Sequence, residues 1–273
     1  MKIAFLFLTI GDLNHEYLWR EYFKGNEDKY NIYCHPKDKY NVKSDWLRKY
    51  IIDKNVTTTW GNTIYAILEL LIDALKDKKN DFFLLLSESC IPIKSFNKFY
   101  KFLKNNKDKS FIKKYKYGVS KYDIEVRLKY FEFDRDLLIK HYANWILNRN
   151  HAKKLLLKKN ILNNFTNIKN ADEYLLSVLD NKKNIINYEI INVDWDYTEN
   201  FSNMINDLRL NKRYEKYKYI LKKIYQEISQ HPRTYIKINN SIINGLINSE
   251  SFFARKFDIN SNILEFKDQL LAS

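Results

Sequence analysis

Glycine and proline are scarce in this chain of 273 residues, at five and three, and Cys34 and Cys90 are its only cysteines. So few of them exclude a collagen-like or linker-rich chain and a disulfide-stapled secreted scaffold. A reducing compartment follows, with both cysteines expected as plain buried thiols. No segment approaches the ~20 apolar residues that a membrane span needs. The opening run Lys2-Ile3-Ala4-Phe5-Leu6-Phe7-Leu8-Thr9 is too short and too poorly flanked for a signal peptide. A cytoplasmic protein without a membrane anchor is therefore expected. No internal repeat and no flexible linker breaks the sequence, which predicts one domain over residues 1–273.

What the chain does have is apolar and aromatic mass, with 45% hydrophobic residues and 16% aromatic, enough to bury a core and exclude disorder. The formal charge is +14. A field of that sign attracts phosphates, nucleic acid or anionic lipid. The lysines, however, are scattered and interleaved with Asp and Glu, and no basic block stands out. Partner nucleic acid is therefore not expected, although a basic nucleic-acid-binding protein stays as the alternative from another class.

Three apolar runs predict buried parallel strands: Ile3 to Leu8, Tyr30 to Cys34, and Phe82 to Leu86. Each ends in polar or turn residues, at Thr9, at His35-Pro36 and at Ser87-Glu88-Ser89-Cys90. Between the second and third, Ile64, Ile67, Leu68, Leu71 and Leu75 recur at helical spacing. Strands alternating with helices predict an α/β fold with a mostly parallel central sheet flanked by helices. Ligands of such sheets gather beyond the carboxyl ends of the strands. Farther on, Lys101 to Tyr117 reads as a surface helix and loop, and Asp123 to Leu157 as a mixed region. A short helix with Asn170 as its N-cap, a strand over Ile190–Trp195 and a charged helix over Asn203–Glu227 follow.

In their order, Ala4-Phe5-Leu6-Phe7-Leu8-Thr9, Tyr33-Cys34-His35-Pro36, Trp60-Gly61 and Leu85-Leu86-Ser87-Glu88-Ser89-Cys90-Ile91-Pro92 resemble the core-2/I-branching enzymes, glycosyltransferase family 14, especially its plant-type branch. The likeness continues through Asn144-Trp145, Asp172-Glu173-Tyr174-Leu175, Val193-Asp194-Trp195, His231-Pro232-Arg233 and Phe253-Ala254-Arg255-Lys256-Phe257. It spans nearly the whole chain. The resemblance implies a GT-A type, Rossmann-like glycosyltransferase fold, with a nucleotide-binding half over about 1–110 and an acceptor and catalytic half over about 111–273. It also implies an inverting transfer, without a metal, of a sugar from a UDP-sugar to a glycan hydroxyl. UDP-GlcNAc is the implied donor; UDP-xylose, UDP-glucose and a catalytically silent glycan-binding relative remain open.

An inverting transfer needs a base within hydrogen-bond reach of the acceptor hydroxyl. The resemblance puts that role on Glu173, in a first helical turn whose dipole favours a carboxylate. The same carboxylate also reads as one that merely complements the dipole. A departing diphosphate needs compensating positive charge, which the resemblance places on Arg233 and Lys256; Arg255 is expected to point outward. Thr9, His35 and Pro36 are implied nucleotide contacts, His35 reading equally as a core-edge histidine. Trp60, Glu88, Ser89, Trp145 and Trp195 are candidates for the sugar and acceptor pocket, with core positions equally open to Trp145 and Trp195. The spellings Asp194-Trp195-Asp196 and Asp134-Arg135-Asp136 could be read as acidic metal-holding pairs. The expected place for such a pair is the end of the third strand, where Ser87-Glu88-Ser89 stands, so no metal and no cofactor beyond the UDP-sugar is expected. The chain is expected to depart from the family in having no anchor, and it departs in its lack of a cysteine framework and in a charged stretch near residues 200–230.

Overall fold

In the computed structural model of the protein the described residues are 1–59, 61–115, 119, 138–162, 165, 168, 170–179, 183–195, 204, 207–208, 213–228 and 232–273, with 222–228 described by backbone alone. The three apolar runs form β1 (Lys2–Thr9), β2 (Tyr30–Pro36) and β3 (Asn80–Ser87), and both neighbours run parallel to β1. Short β4 (Ile91–Pro92) follows, then β5 (Ser110–Lys114), β6 (His141–Asn148), β7 (Ile185–Asn187), β8 (Ile191–Val193) and β9 (Phe253–Arg255). One sheet has the order β2-β1-β3-β6-β5-β7, and a smaller one the order β4-β9-β8. In the larger sheet β6 alone runs against its neighbours: it pairs antiparallel with β3 and β5, while β5 and β7 are parallel. The expected α/β fold with a mostly parallel sheet is the one observed.

Strands buried on both faces need apolar residues at every position, because alternate side chains go to opposite sides. Ala4 and Leu6 of β1 face one core with Phe83 and Leu85 of β3. That side is closed by α2 (Ile64–Lys76), whose Ile64, Ile67, Leu68 and Leu71 recur at helical spacing, and by the helical segment carrying Tyr174 and Leu175. Ile3, Phe5 and Phe7 face the other core, filled from α1 (Glu16–Phe23) by Trp19 and Phe23 and from α3 (Phe96–Lys104) by Phe96 and Phe99. Much of the aromatic excess is spent there. Trp19 stacks on Phe253 at 5.7 Å and Phe5 meets Phe23 edge-on at 4.8 Å. Cys34 and Cys90 are both free and buried, as expected.

Several local expectations need correction. The lysine-rich stretch Lys101 to Tyr117 is not only surface: β5 within it lies between β6 and β7, and its Phe111 and Ile112 are buried. Ala171–Val178 is a 3-10 helix, and Asn170 before it makes no side-chain cap. Instead Asn170 adopts a left-handed conformation with φ 58°, one that Asn tolerates better than most residues. The mixed region resolves into β6 and α4 (Arg149–Leu157), capped by the Asn148 side chain, which accepts from the His151 amide at 2.8 Å; its residues 123–137 lie outside the described ones. The strand expected over Ile190–Trp195 is confined to Ile191–Val193, and the charged helix is α5 (Tyr214–Ile228). No helix among the described residues is long and apolar enough to cross a membrane.

Candidate active site

Loops leaving β1, β3 and β9 are tied together at the carboxyl end of the sheet. The Asn14 amide donates to the Glu88 carbonyl at 3.1 Å, Asn14 Nδ2 to the Phe257 carbonyl at 2.7 Å, and the Phe257 amide to the Ser89 carbonyl at 3.0 Å. Residues 233–235 run beside 255–257: the Tyr235 amide donates to the Lys256 carbonyl at 2.8 Å, and the Lys256 amide to the Arg233 carbonyl at 3.4 Å. Arg233 and Lys256, 23 positions apart in the chain, are thereby brought side by side. The Arg233 amide also donates to the Asp194 carbonyl at 3.0 Å, which joins the end of β8 to the same cluster.

The two cations sit in different settings. Arg233 is 53% exposed, 3.5 Å from Asp194 Oδ2 and 5.1 Å over the Tyr235 ring, and Tyr235 donates its hydroxyl proton to the same Asp194 oxygen at 2.8 Å. Lys256 is half-buried. Burial, then the neighbouring Arg255 charge, lowers its ammonium below the ordinary value, while Glu88 acts against that shift. Arg255, expected to face solvent, points inward instead. Its guanidinium donates to Asn144 Oδ1 at 2.8 Å, Asn144 Nδ2 donates to the Leu85 carbonyl at 3.0 Å, and the Arg255 charge bears on Asp172 and Cys90. Arg255 and Lys256 thus set two like charges together, and backbone hydrogen bonds bring the Arg233 segment beside them. A dissolved anion would relieve that repulsion.

Glu173 lies in the first turn of the 3-10 helix, 16% exposed. Tyr115, just past β5, donates its hydroxyl proton to Glu173 Oε1 at 3.1 Å, and Lys140 Nζ stands 3.9 Å from Oε2. Neighbouring Asp172 is half-buried and accepts from Thr63 Oγ1 at 3.1 Å; burial raises its carboxyl above the usual range. Gly61 fits against the start of this helix. It has φ +77°, its carbonyl accepts from the Ala171 amide at 3.3 Å, and a Cβ there would come within 2.8 Å of Asn170 Oδ1. Only glycine suits both demands. Trp60 itself, like His231, Asp196 and residues 134–136, lies outside the described residues.

The other expected site residues divide. Thr9 and His35 are buried with their side chains turned inward, Thr9 Oγ1 lying 3.8 Å from Cys34 Sγ and His35 Nε2 accepting from the Val56 amide at 3.0 Å. Pro36 is buried too. These three therefore offer strand ends rather than exposed side chains. Ser89 is buried beside Ser87, with 3.2 Å between hydroxyl oxygens. Trp145 is 1% exposed among Ile67, Leu147 and other core residues. An indole enclosed in this way presents no face to a sugar, so the platform expected of Trp145 is not formed. Trp195 differs. With Tyr142, Asp194 and Tyr235 it lines a cavity of about 750 Å³ between β7, β8 and α6 (Asn240–Asn248), and its buried Nε1 has no hydrogen-bond partner among the described residues. Tyr142 connects this cavity to the Glu173 side, its ring centroid 6.5 Å from Trp195 and 4.8 Å from Tyr115. Among the described residues no group of three or more His, Cys, Asp or Glu is placed to hold a metal ion.

Behind Glu173, fully buried His141 fixes the helix to β6. Its Nδ1 donates to the Tyr142 carbonyl at 2.7 Å, and its Nε2 accepts from the Leu176 amide at 3.3 Å. Burial pushes its pKa down to about 4, so folding favours the neutral ring. The unfolded chain binds that proton near 6.5, hence stability is full above 6.5 and falls as pH drops from 6.5 to about 4, by roughly 3 kcal/mol from this group. His15 and His35, also lowered by burial, act in the same direction. Denaturation midpoints at pH 7 and 4.5 should therefore converge in His141→Gln relative to the unmodified protein. An unchanged difference between the two pH values would remove His141 as its source.

The sequence matches the family model "Branch: Core-2/I-Branching enzyme" over residues 3–239. A curated relative, "Glycosyltransferase BC10" of Oryza sativa subsp. japonica, is 29% identical over 110 residues, covering 37% of this chain and 28% of that protein. The match therefore spans well under half of the relative's length. Among solved structures, "Crystal Structure of A197 from STIV" aligns with 56% of this chain and 68% of that one at 14% identity, with a TM-score of 0.24 that carries no argument.

Proposed function

Because the chain belongs to the core-2/I-branching enzyme family and is thus a glycosyltransferase, we propose that it moves a sugar, GlcNAc in the first instance, from a UDP-sugar to a glycan hydroxyl with inversion and without a metal ion. The observation that carries this reading is the pairing of the like charges of Arg255 and Lys256, with the Arg233 segment bonded beside them, where the loops after β1, β3 and β9 converge. Charge of this kind is what a diphosphate leaving group requires, since negative charge grows on it as the glycosidic bond breaks.

In this mechanism Glu173 accepts the acceptor hydroxyl proton as the oxygen attacks the anomeric carbon from the face opposite UDP. The bond to UDP breaks with its electron pair, which passes to the phosphate oxygen and is met by Lys256 and Arg233. One displacement inverts the centre, and Glu173 then yields its proton to solvent. The acceptor enters through the cavity lined by Trp195 and Tyr142, where an aromatic face suits the apolar face of a pyranose. At about 750 Å³ the cavity suits a ligand of more than one sugar ring. At the third strand end, where acidic residues would hold a metal, the Glu88 charge instead bears on the Lys256 ammonium.

Thermal unfolding with UDP, UDP-GlcNAc, UDP-xylose, UDP-glucose and, as controls, ADP and GDP tests the donor. A nucleotide at 100 times its Kd stabilises by about 2.7 kcal/mol, which raises the midpoint by several degrees. UDP and one UDP-sugar should do so, and ADP and GDP should not. Equal shifts with all three diphosphates would sink the UDP assignment. Turnover that survives EDTA supports the metal-free mechanism, and turnover that EDTA abolishes and manganese restores overturns it.

A further inference from the structure

Carboxylates that act as bases have to be held still and kept ionised. We propose that Tyr115 and Lys140 are the positioning residues that do both for Glu173, fixing the carboxylate between β5 and β6 and setting the pH below which it ceases to accept a proton. This inference rests on Glu173 as the base.

The geometry supports it from three separate elements. Tyr115 comes from the end of β5, Lys140 from the residue before β6, and Glu173 from the 3-10 helix; they converge without being neighbours in sequence. Tyr115 gives its hydroxyl proton to Oε1 at 3.1 Å. It keeps that proton to give, because burial and then the Glu173 charge push the phenol well above its ordinary value. Lys140 Nζ lies 3.9 Å from Oε2, and the two side chains are only 15% and 16% exposed, so water screens them less than a surface pair. The ammonium is also set over two rings, 5.0 Å from the centroid of Tyr115 and 6.0 Å from that of Tyr174. Cation–π attraction of this kind fixes where the charge stands.

Both partners favour the ionised carboxylate, so both lower the pH at which it becomes a working base. Among the described residues, other titratable groups near this carboxylate include Asp172 on its own helix, and His141 and Tyr142 on β6. Tyr142, raised to about 12, stays neutral through the working range, and His141, lowered to about 4, is neutral above it. Asp172, raised by burial, is the group whose titration has to be separated from that of Glu173.

The test uses the whole chain and the acid limb of kcat/KM against pH. Lys140→Met and Tyr115→Phe preserve bulk while removing the charge and the donor. Each should move the limb to higher pH, by about one unit, and lower kcat at pH 6 about tenfold with UDP affinity unchanged; Lys140→Arg should restore the limb. A limb that stays in place in both variants overturns the inference, as does one that moves with Asp172→Asn instead. A matching loss of UDP affinity would also overturn it, since that marks a structural role. Failure of the underlying base assignment is distinguishable: Glu173→Gln would then turn over normally, whatever the limb does in the other variants.

Discussion

Glu173→Gln should turn over about 100- to 10,000-fold more slowly than the unmodified enzyme, the range that one general base supplies, while binding UDP as before. The substitution is close to silent in shape. The amide oxygen still accepts the Tyr115 hydroxyl, which lies 3.1 Å from Oε1, and packing of the 3-10 helix through Tyr174 and Leu175 is untouched. What is lost is the ability to take a proton, together with the charge that Lys140 faces. Single-turnover rates alongside calorimetric UDP titrations separate the two quantities. Unaltered turnover would take the base role from Glu173, and a parallel fall in UDP affinity would make it a structural residue.

The second large effect concerns the cations. Lys256→Met and Arg233→Ala should each slow transfer about 100- to 1,000-fold, as loss of one electrostatic stabiliser does elsewhere, and each should weaken UDP binding. Their sensitivity should differ. Lys256 is half-buried and already lowered by its burial and by Arg255, whereas Arg233 is exposed and shares Asp194 with Tyr235. Screening by salt is weaker at the buried site, so the Lys256 contribution should persist in high salt where that of Arg233 fades. Removing the Lys256 charge also removes a desolvated cation from beside another. Lys256→Met should consequently be at least as heat-stable as the unmodified protein without nucleotide, and show little further rise with UDP. A variant that keeps its full UDP-induced shift would contradict the phosphate role of Lys256.

Much of the frame can be read from one-dimensional pattern because burial on both faces leaves a plain mark. Ile3 to Leu8 and Phe82 to Leu86 are unbroken apolar runs, and they became neighbouring parallel strands. β5 leaves no such mark: its Phe111 and Ile112 stand between Lys109 and Lys113, so two buried residues carry it and the lysines hide them. The site is legible to the extent that its residues act locally. Glu173 stands in a first helical turn as anticipated, but Tyr115 and Lys140 reach it from 58 and 33 positions away, with nothing in their surroundings to announce it. The inward turn of Arg255 is hidden for the same reason, since the Asn144 that turns it lies 111 residues earlier. Trp145 shows the converse: a strand sends successive side chains to opposite faces, and Trp145 falls with Leu147 on the face packed against one core while Asn144 falls on the other.

The reversed direction of β6 has a consequence for how the enzyme can change. Parallel strands offer the cleft only their last residues, whereas a strand running the opposite way begins there. Within four successive positions it sends His141 to the backbone of the helix bearing Glu173, Tyr142 to the cavity beside Trp195, and Asn144 to the Arg255 guanidinium. In the proposed mechanism, proton transfer, acceptor fit and leaving-group binding are therefore mounted on one short beam. A mutation that shifts its start should disturb all three together, so new acceptor preferences are more readily acquired on β8 and α6, across the cavity, than on this strand.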